Sequence, residues 1–417
     1  MNPFLKYFFF TLLCMALLTA MAPTTLSAQD LLEKLMRDRP DRFGEIMAHP
    51  DRYQVQVRYT RIDRNKRNEP KFTTYSYGLP TDTYFYPAST VKLAAVALAL
   101  EKMNALGLDK YTALKIGTNR PSQTAVMGDS TSEDGNASIG HYAKKILLVS
   151  DNDAFNRLYE FIGQAAFNDS LHAKGYTQSR ITHRLSIVLP PEENRYTNPM
   201  SFFKDGKKVY EQPEQYAAKP YWLEKPILIG TASIDEQGNK VGEPMDFSKK
   251  NYFPIDEQHR LLRALYFPES VPAKERFGLT QDDYSFIYRY MSQYPVETSY
   301  PETYTDDYYD GYAKYILFGG TKTRLPRHIR LFNKVGNAYG YLLDNAFVAD
   351  FEKGVEWMVT AVIYCNANEV LNDGKYEYEE VGLPFMADLG KTLFEYEVNR
   401  KRKTRPDLDR FEVTYDK

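Results

Sequence analysis

Cysteine, histidine and tryptophan are all scarce in this chain: 2, 6 and 2 of 417 residues. Cys14 lies in an N-terminal apolar run, so Cys365 is the one thiol left to the rest of the chain. One thiol makes no intramolecular disulfide, which excludes a disulfide scaffold. Cys365 sits in the apolar stretch WMVTAVIYC and reads as a small buried hydrophobe. The histidines are scattered, and no His, Cys or Asp cluster has ligand spacing, so no metal or cofactor is called for. Net charge is also missing, with 53 Lys+Arg against 55 Asp+Glu, and that balance gives no sign of a nucleic-acid partner. One apolar run stands at the N-terminus. There FFFTLLCMALLTAMA follows Lys6 and leads to small residues ending at Ala28. The run is short for a membrane span and is interrupted by Pro23. It reads as a signal peptide over 1–28, implying export to a periplasmic or secreted location with no membrane attachment after cleavage. Two leucines precede Cys14 where small residues would be expected, which argues against a lipoprotein.

What the chain does have is length for a large core, 34 tyrosines, and a clear change of pattern along it. Residues 29–50 form two short helical pieces separated at Pro40. YQVQVRYT (53–60) and KFTTYSYG alternate apolar and polar residues and pair as a hairpin across a charged turn. VKLAAVALALEKMNAL (91–106) is a strong helix former ending near Gly107. SIGHYAKKILL (138–148) and a segment from Ala154 to Ile162 are helical. LPPEENRYTNP (189–199) is a loop, and the stretch to about 325 is irregular, with a tyrosine- and acid-rich segment at 299–312. HIRLFNKVG, YGYLLDNAFVAD and VEWMVTAVIYCN read as successive strands. A helix from Pro384 to about Asn399 runs into RKRKTR, read as a solvated helix end. The expected class is α/β (α+β): an antiparallel sheet flanked by helices and built from both ends of the chain (45–88 and 325–400), plus a helical lobe (89–325).

Three short strings carry the chemistry. In Ser89-Thr90-Val91-Lys92 the serine and lysine lie one helical turn apart on one face. A neutral lysine there can take the serine's proton, and a helix N-terminus favours developing negative charge. In Ser150-Asp151-Asn152 the hydroxyl can relay a proton, the Asn152 amide can hold a substrate carbonyl and the lysine, and Asp151 caps the next helix. In Lys334-Val335-Gly336 a strand lysine offers a point charge for a carboxylate, and the glycine leaves room for a substrate backbone. Each string alone is equally a structural commonplace: a helix start with a surface lysine, a helix N-cap, a solvent-facing lysine before a turn. Their order and settings together describe one active site.

With these strings the chain resembles the penicillin-recognising serine hydrolases, most closely the class A β-lactamases. FYPASTVK, SDNDAFNRLYEFIG and FNKVGNAYGYLLDNAFV carry the resemblance, over about 45–200 and 325–400. It implies a β-lactamase/transpeptidase-like fold, with the interval between the second and third strings holding a large insertion at about 200–320. It implies an acyl-enzyme on Ser89, with Lys92 as base, Ser150 as relay, Lys334 as carboxylate anchor, and the backbone N–H groups of Ser89 and Asn337 as oxyanion hole. The implied partner is a small β-lactam or a peptidoglycan-type peptide.

The chain also departs from that pattern. Val335 stands where the family shows threonine or serine. In the stretch RLSIVLPPEENRYTNP (184–199) no glutamate is followed four residues later by asparagine, the local mark of the residue that positions deacylating water. Glu192 and Glu193 are the candidate deacylation bases there, and a solvated Pro-Pro-Glu-Glu turn explains them equally well. The default expectation is β-lactam hydrolysis. The alternatives are a D-Ala-D-Ala peptidase-like or other amide or ester hydrolase with slow deacylation, and a catalytically retired binding module using the tyrosine-rich segment.

Overall fold

The computed structural model describes residues 30–80, 82–304 and 307–417. The expected signal peptide and Cys14 lie outside them. Helices α1 (Asp30–Arg37) and α2 (Pro40–Ala48) open the chain, and Pro40 begins the second helix, where its missing N–H has no cost. Strands β1 (Gln56–Arg64) and β2 (Pro70–Gly78) form the hairpin, with β1 running four residues further than expected. Next come α3 (Val91–Ala105), β3 (Ala113–Ile116), α4 (Ile139–Val149), α5 (Asn152–Ile162) and α6 (Gln164–Ala173). β4 (Met200–Lys204) and β5 (Lys207–Gln212) pair with β3. Four short strands follow, β6 (Leu228–Ile229), β7 (Ala232–Ile234), β8 (Lys240–Val241) and β9 (Met245–Asp246). Helices α7 (Ile255–Tyr266) and α8 (Gln281–Ser292) precede the long strands β10 (Ile329–Ala338), β11 (Tyr341–Asp350) and β12 (Val355–Tyr364). β13 (Val370–Leu371) and α9 (Leu383–Asn399) close the fold.

The main sheet has the order β10-β11-β12-β1-β2, all antiparallel, so the chain's two ends do build it together. β11 and β12 are buried along their whole length because both faces are covered. Trp357, Val359 and Ala361 point into one core with α1, α2 and α9. Met358, Phe347 and Phe332 point into the other, with α3 to α5, α7 and α8. Alternate residues serve opposite cores, which turns the strands into near-continuous apolar runs.

The stretch to 325 is less irregular than its sequence reads. α7 packs on the sheet, with His259 bridging Thr60 (2.7 Å) and Thr360 (2.9 Å). α6 was also not anticipated. In the tyrosine-rich segment the rings of Tyr304, Tyr308 and Tyr312 pack in series at tilted angles of 46° and 57°, centroids 4.8 and 4.9 Å apart, the first two against the helical core. The string after α9 is not simply a solvated end. Arg400 pairs with Glu397 and with Asp63, each at 2.6 Å, and Arg402 pairs with the same buried Glu397.

α3 explains the placing of the first string. It is apolar all round and buried on nearly every side, a central helix of its lobe. Gly107 at φ 66° ends it, with Leu108 N–H returning to Met103 O at 3.0 Å.

Candidate active site

Ser89 lies in the 3-10 turn Ala88–Thr90 that leads into α3. Ala88 enters that turn at φ 46°, a left-handed conformation that side chains other than glycine seldom adopt. The turn packs against β10, the edge strand of the sheet. A Cβ on Gly336 would lie 2.9 Å from Ser89 N and 3.1 Å from Pro87 O. The space beside Gly336 is therefore filled by the turn that carries Ser89 and is not open for substrate, which corrects the reason expected for this glycine.

Lys92 is fully buried, which removes its reading as a surface lysine. Its Nζ meets Ser150 O at 2.5 Å, Ser150 Oγ at 3.2 Å and Asn152 Oδ1 at 2.6 Å. Among the described residues no hydrogen bond joins it to Ser89. Ser150 takes φ 61° at the junction of α4 and α5, which turns both its carbonyl and its hydroxyl toward Lys92. Asp151 caps α5, accepting from Ala154 N at 2.8 Å as expected.

From the opposite wall Lys334, 2% exposed, donates to Ser150 Oγ at 2.7 Å and to Val335 O at 2.9 Å. Two buried lysines thus meet on one hydroxyl. Burial, and then the like charge of Lys334, hold Lys92 well below the ordinary lysine range. Burial lowers Lys334 to about 7, with Asp344 opposing and Lys314 reinforcing the shift.

Behind Lys334 lies a polar group that sequence reasoning missed. Lys314 donates to Asn333 Oδ1 (2.8 Å), Met291 O (2.5 Å) and Leu331 O (3.0 Å). Asn333 in turn donates to Asp344 at 2.9 and 3.0 Å. Burial lowers Lys314 to about 7 and raises Asp344 to about 6. The signal was present as polar residues interrupting two apolar strands, Asn333-Lys334 in β10 and Asp344-Asn345 in β11.

A cavity of about 420 Å³ opens at Ser89, walled by Tyr86, Asn152, Ser186, Asn337, Tyr339 and Tyr376 among others. No carboxylate lines it among the described residues. Asn152 Nδ2 donates to Ser186 Oγ at 2.8 Å, and Ser186 stands at φ 54°. Ser186, though within the loop singled out by sequence, carried no signal of its own. Glu192 and Glu193 point elsewhere: Glu192 grips Arg195 at 2.7 and 2.9 Å, and Glu193 accepts from Ser122 Oγ at 2.7 Å. Neither lines the cavity at Ser89, and each is committed elsewhere, Glu192 to Arg195 and Glu193 to Ser122 and Arg120. Asn337, exposed, accepts from Tyr315 OH at 3.4 Å and lines the cavity with Ser89.

An antiparallel sheet, helices on both faces and a helical lobe meeting its edge make this the mixed α/β fold of β-lactamases and transpeptidases. The sequence matches the β-lactamase enzyme family over residues 54–396, and the chain belongs to that family of hydrolases. No curated protein matches it. Among solved structures it is similar to the β-lactamase of Sphaerobacter thermophilus, with 14% identity over 88% of this chain and 96% of that one (TM-score 0.47). The chromosome-encoded β-lactamase of Vibrio parahaemolyticus gives 13% identity over 86% and 99% (TM-score 0.48). The class A β-lactamase of Clostridium kluyveri gives 14% identity over 86% and 98% (TM-score 0.47). No helix among the described residues is long and apolar enough to cross a membrane.

Proposed function

We propose that the chain is an exported serine hydrolase that opens a β-lactam amide by acylating Ser89. The observation that carries this reading is the convergence of Lys92 and Lys334 on Ser150 Oγ, at 3.2 and 2.7 Å. A neutral amine has two N–H donors and one lone pair. Lys92 keeps its donors on Ser150 O and Asn152 Oδ1, and its lone pair accepts a proton. Charged Lys334 donates to Ser150 Oγ and has one N–H left for a substrate carboxylate. Ser89 attacks the carbonyl carbon and its proton passes to Lys92. The C–N bond then breaks as Ser150 gives its hydroxyl proton to the leaving nitrogen and takes the one held by Lys92 in its place. The backbone N–H groups of Ser89 and Asn337 hold the oxyanion.

A second reading is favoured by a specific feature, the cavity wall that holds no carboxylate among the described residues. Hydrolysis of the ester needs a base for water, and Ser186 at Asn152 offers only a hydroxyl. A long-lived acyl-enzyme, as in a D-Ala-D-Ala peptidase-like or other slow amide or ester hydrolase, follows from that wall. A binding module with a retired site has no use for two buried lysines, whose desolvation is costly unless the site works.

Intact-mass measurement during exposure to a penicillin tests the reading. A Ser89-dependent adduct is expected, transient for a β-lactamase and lasting for a slow hydrolase. No adduct and no turnover would sink it.

A further inference from the structure

The cleft does not end at Ser89. Tyr86, Ser186 and Tyr339 wall the cavity around Ser89 and also wall a second compartment of about 290 Å³. That compartment runs beneath the 183–191 loop and ends at Lys249 and Lys250, supplied by the segment before α7. His183 lies in its wall, stacked on Tyr86 with rings 5° from parallel and 6.1 Å apart. Burial, and then Lys250, hold His183 down at about 4, so it is neutral and adds no charge at neutral pH.

Lys250 Nζ sits 5.6 Å from the Tyr339 ring centre and 3.5 Å from its hydroxyl. Lys249 Nζ sits 4.8 Å from the Trp222 ring centre. Among the described residues neither lysine forms an ion pair within 4 Å and no Asp or Glu lines this compartment; Asp246, outside it, is a carboxylate whose proton affinity Lys249 lowers. The remaining cation in its wall, Arg184, is neutralised by buried Glu160 at 2.8 Å. Aromatic faces steady a cation without cancelling its charge, so both ammonium groups stay available to an anion. On the other side of Ser89, Lys334 faces Ser150. Two lysines therefore end the compartment that adjoins the Ser89 cavity, and a third, Lys334, lies buried behind Ser150.

We propose that Lys249 and Lys250 form an anion subsite for the acyl half of the substrate. The preferred substrate is then an amide with two anionic groups. One carboxylate lies on the leaving side for Lys334, and a second lies on the acyl side, as on an acidic side chain or a free terminal carboxylate of a peptide. The proposal deepens the reading of Ser89 as the acylated residue, and binding and acylation are measured separately so that the two can fail separately.

The full chain carrying Ser89→Ala is titrated with two penicillins, one with an ionised carboxylate on its acylamino side chain and one with an uncharged phenyl group there. The carboxylated probe should bind about tenfold more tightly, the strength of one partly desolvated ion pair. That preference should collapse in Lys249→Met/Lys250→Met on the same background, with circular dichroism unchanged, and should shrink in high salt. Equal affinity for the two probes, no binding of either, or a preference that survives the double substitution would overturn the subsite. Acylation of the unsubstituted chain by the phenyl penicillin reports on Ser89 alone. Its absence alongside an intact binding preference would refute the hydrolase reading and leave the subsite standing.

Discussion

Lys334 Nζ donates to Ser150 Oγ at 2.7 Å across a sequence separation of 184 residues. That contact joins the sheet edge to the helical lobe and makes Ser150 the meeting point of two buried lysines. Ser150→Ala should cut the second-order rate of penicillin acylation about a hundredfold or more, the usual weight of a positioned proton relay. Binding of the same penicillin to a Ser89→Ala background should change far less. Stopped-flow acylation and equilibrium titration separate the two effects, and an equal loss in both would refute a relay role.

Asn152 donates to Ser186 in the wall of the Ser89 cavity, so on the proposed mechanism Ser186 borders the acyl group. Ser186→Glu places a carboxylate beside Asn152 and should shorten the adduct's lifetime about tenfold or more. Glu192→Gln and Glu193→Gln should leave it within about twofold, since both carboxylates are held by other partners. Adduct decay followed by mass spectrometry decides. A long-lived adduct made longer still by Glu192→Gln or Glu193→Gln would reinstate those residues.

The rate of acylation should rise as Lys92 loses its proton and fall as Lys334 loses its charge near pH 7. Asp344 supports the charge on Lys334, and Lys314 opposes it. Asp344→Asn should move the falling limb to lower pH and Lys314→Met should move it to higher pH, each by about one pH unit. Opposite displacements in a pH–rate profile are the signature, because simple loosening of the core would move both the same way.

Stability carries the same groups with a definite sign. Lys314 and Lys334 bind protons less readily folded, at about 7, than unfolded, near the ordinary lysine value. Between those limits the unfolded chain holds more protons, so these two lysines make stability rise with pH above about 7. Urea titrations should show that slope weakened in Lys314→Met.

Gly336→Ala should destabilise the fold by about 1–3 kcal/mol, the range for overpacking against atoms that cannot withdraw. The new methyl would press on the backbone of Pro87 and Ser89. Acylation should fall with it, since the turn that holds Ser89 must shift. Chemical denaturation and acylation rate check the pair.

Much of this was readable from the chain, and unevenly so. α3 and the strands β10 to β12 stood out because their residues are buried on all sides and few polar positions break the run. α7 did not, because its buried face is partly polar. Glu257, Gln258 and His259 are buried there, bonded to Ser179, Asn345 and the two threonines of the sheet. With its inner face polar over the first turns, the helix shows its apolar period chiefly at Leu261, Leu262, Leu265 and Tyr266. That stretch is shorter than the windows in which such a period stands out.

The sequence by itself determined which residues to gather as a candidate site, since S-x-x-K at a helix start, S-D-N between two helices and K-x-G on a strand are local patterns. It also determined that Asp151 caps and that Cys365 is buried. Only the tertiary structure decided what those residues touch. It placed Lys92 and Lys334 on one hydroxyl, turned Glu192 and Glu193 away, and set Ser186 at Asn152. It also drew Lys314 and Asp344 behind the site and gave Gly336 its true neighbour. The reason is that proton affinity and reach depend on burial and on partners brought from far along the chain, and neither is a property of a short string.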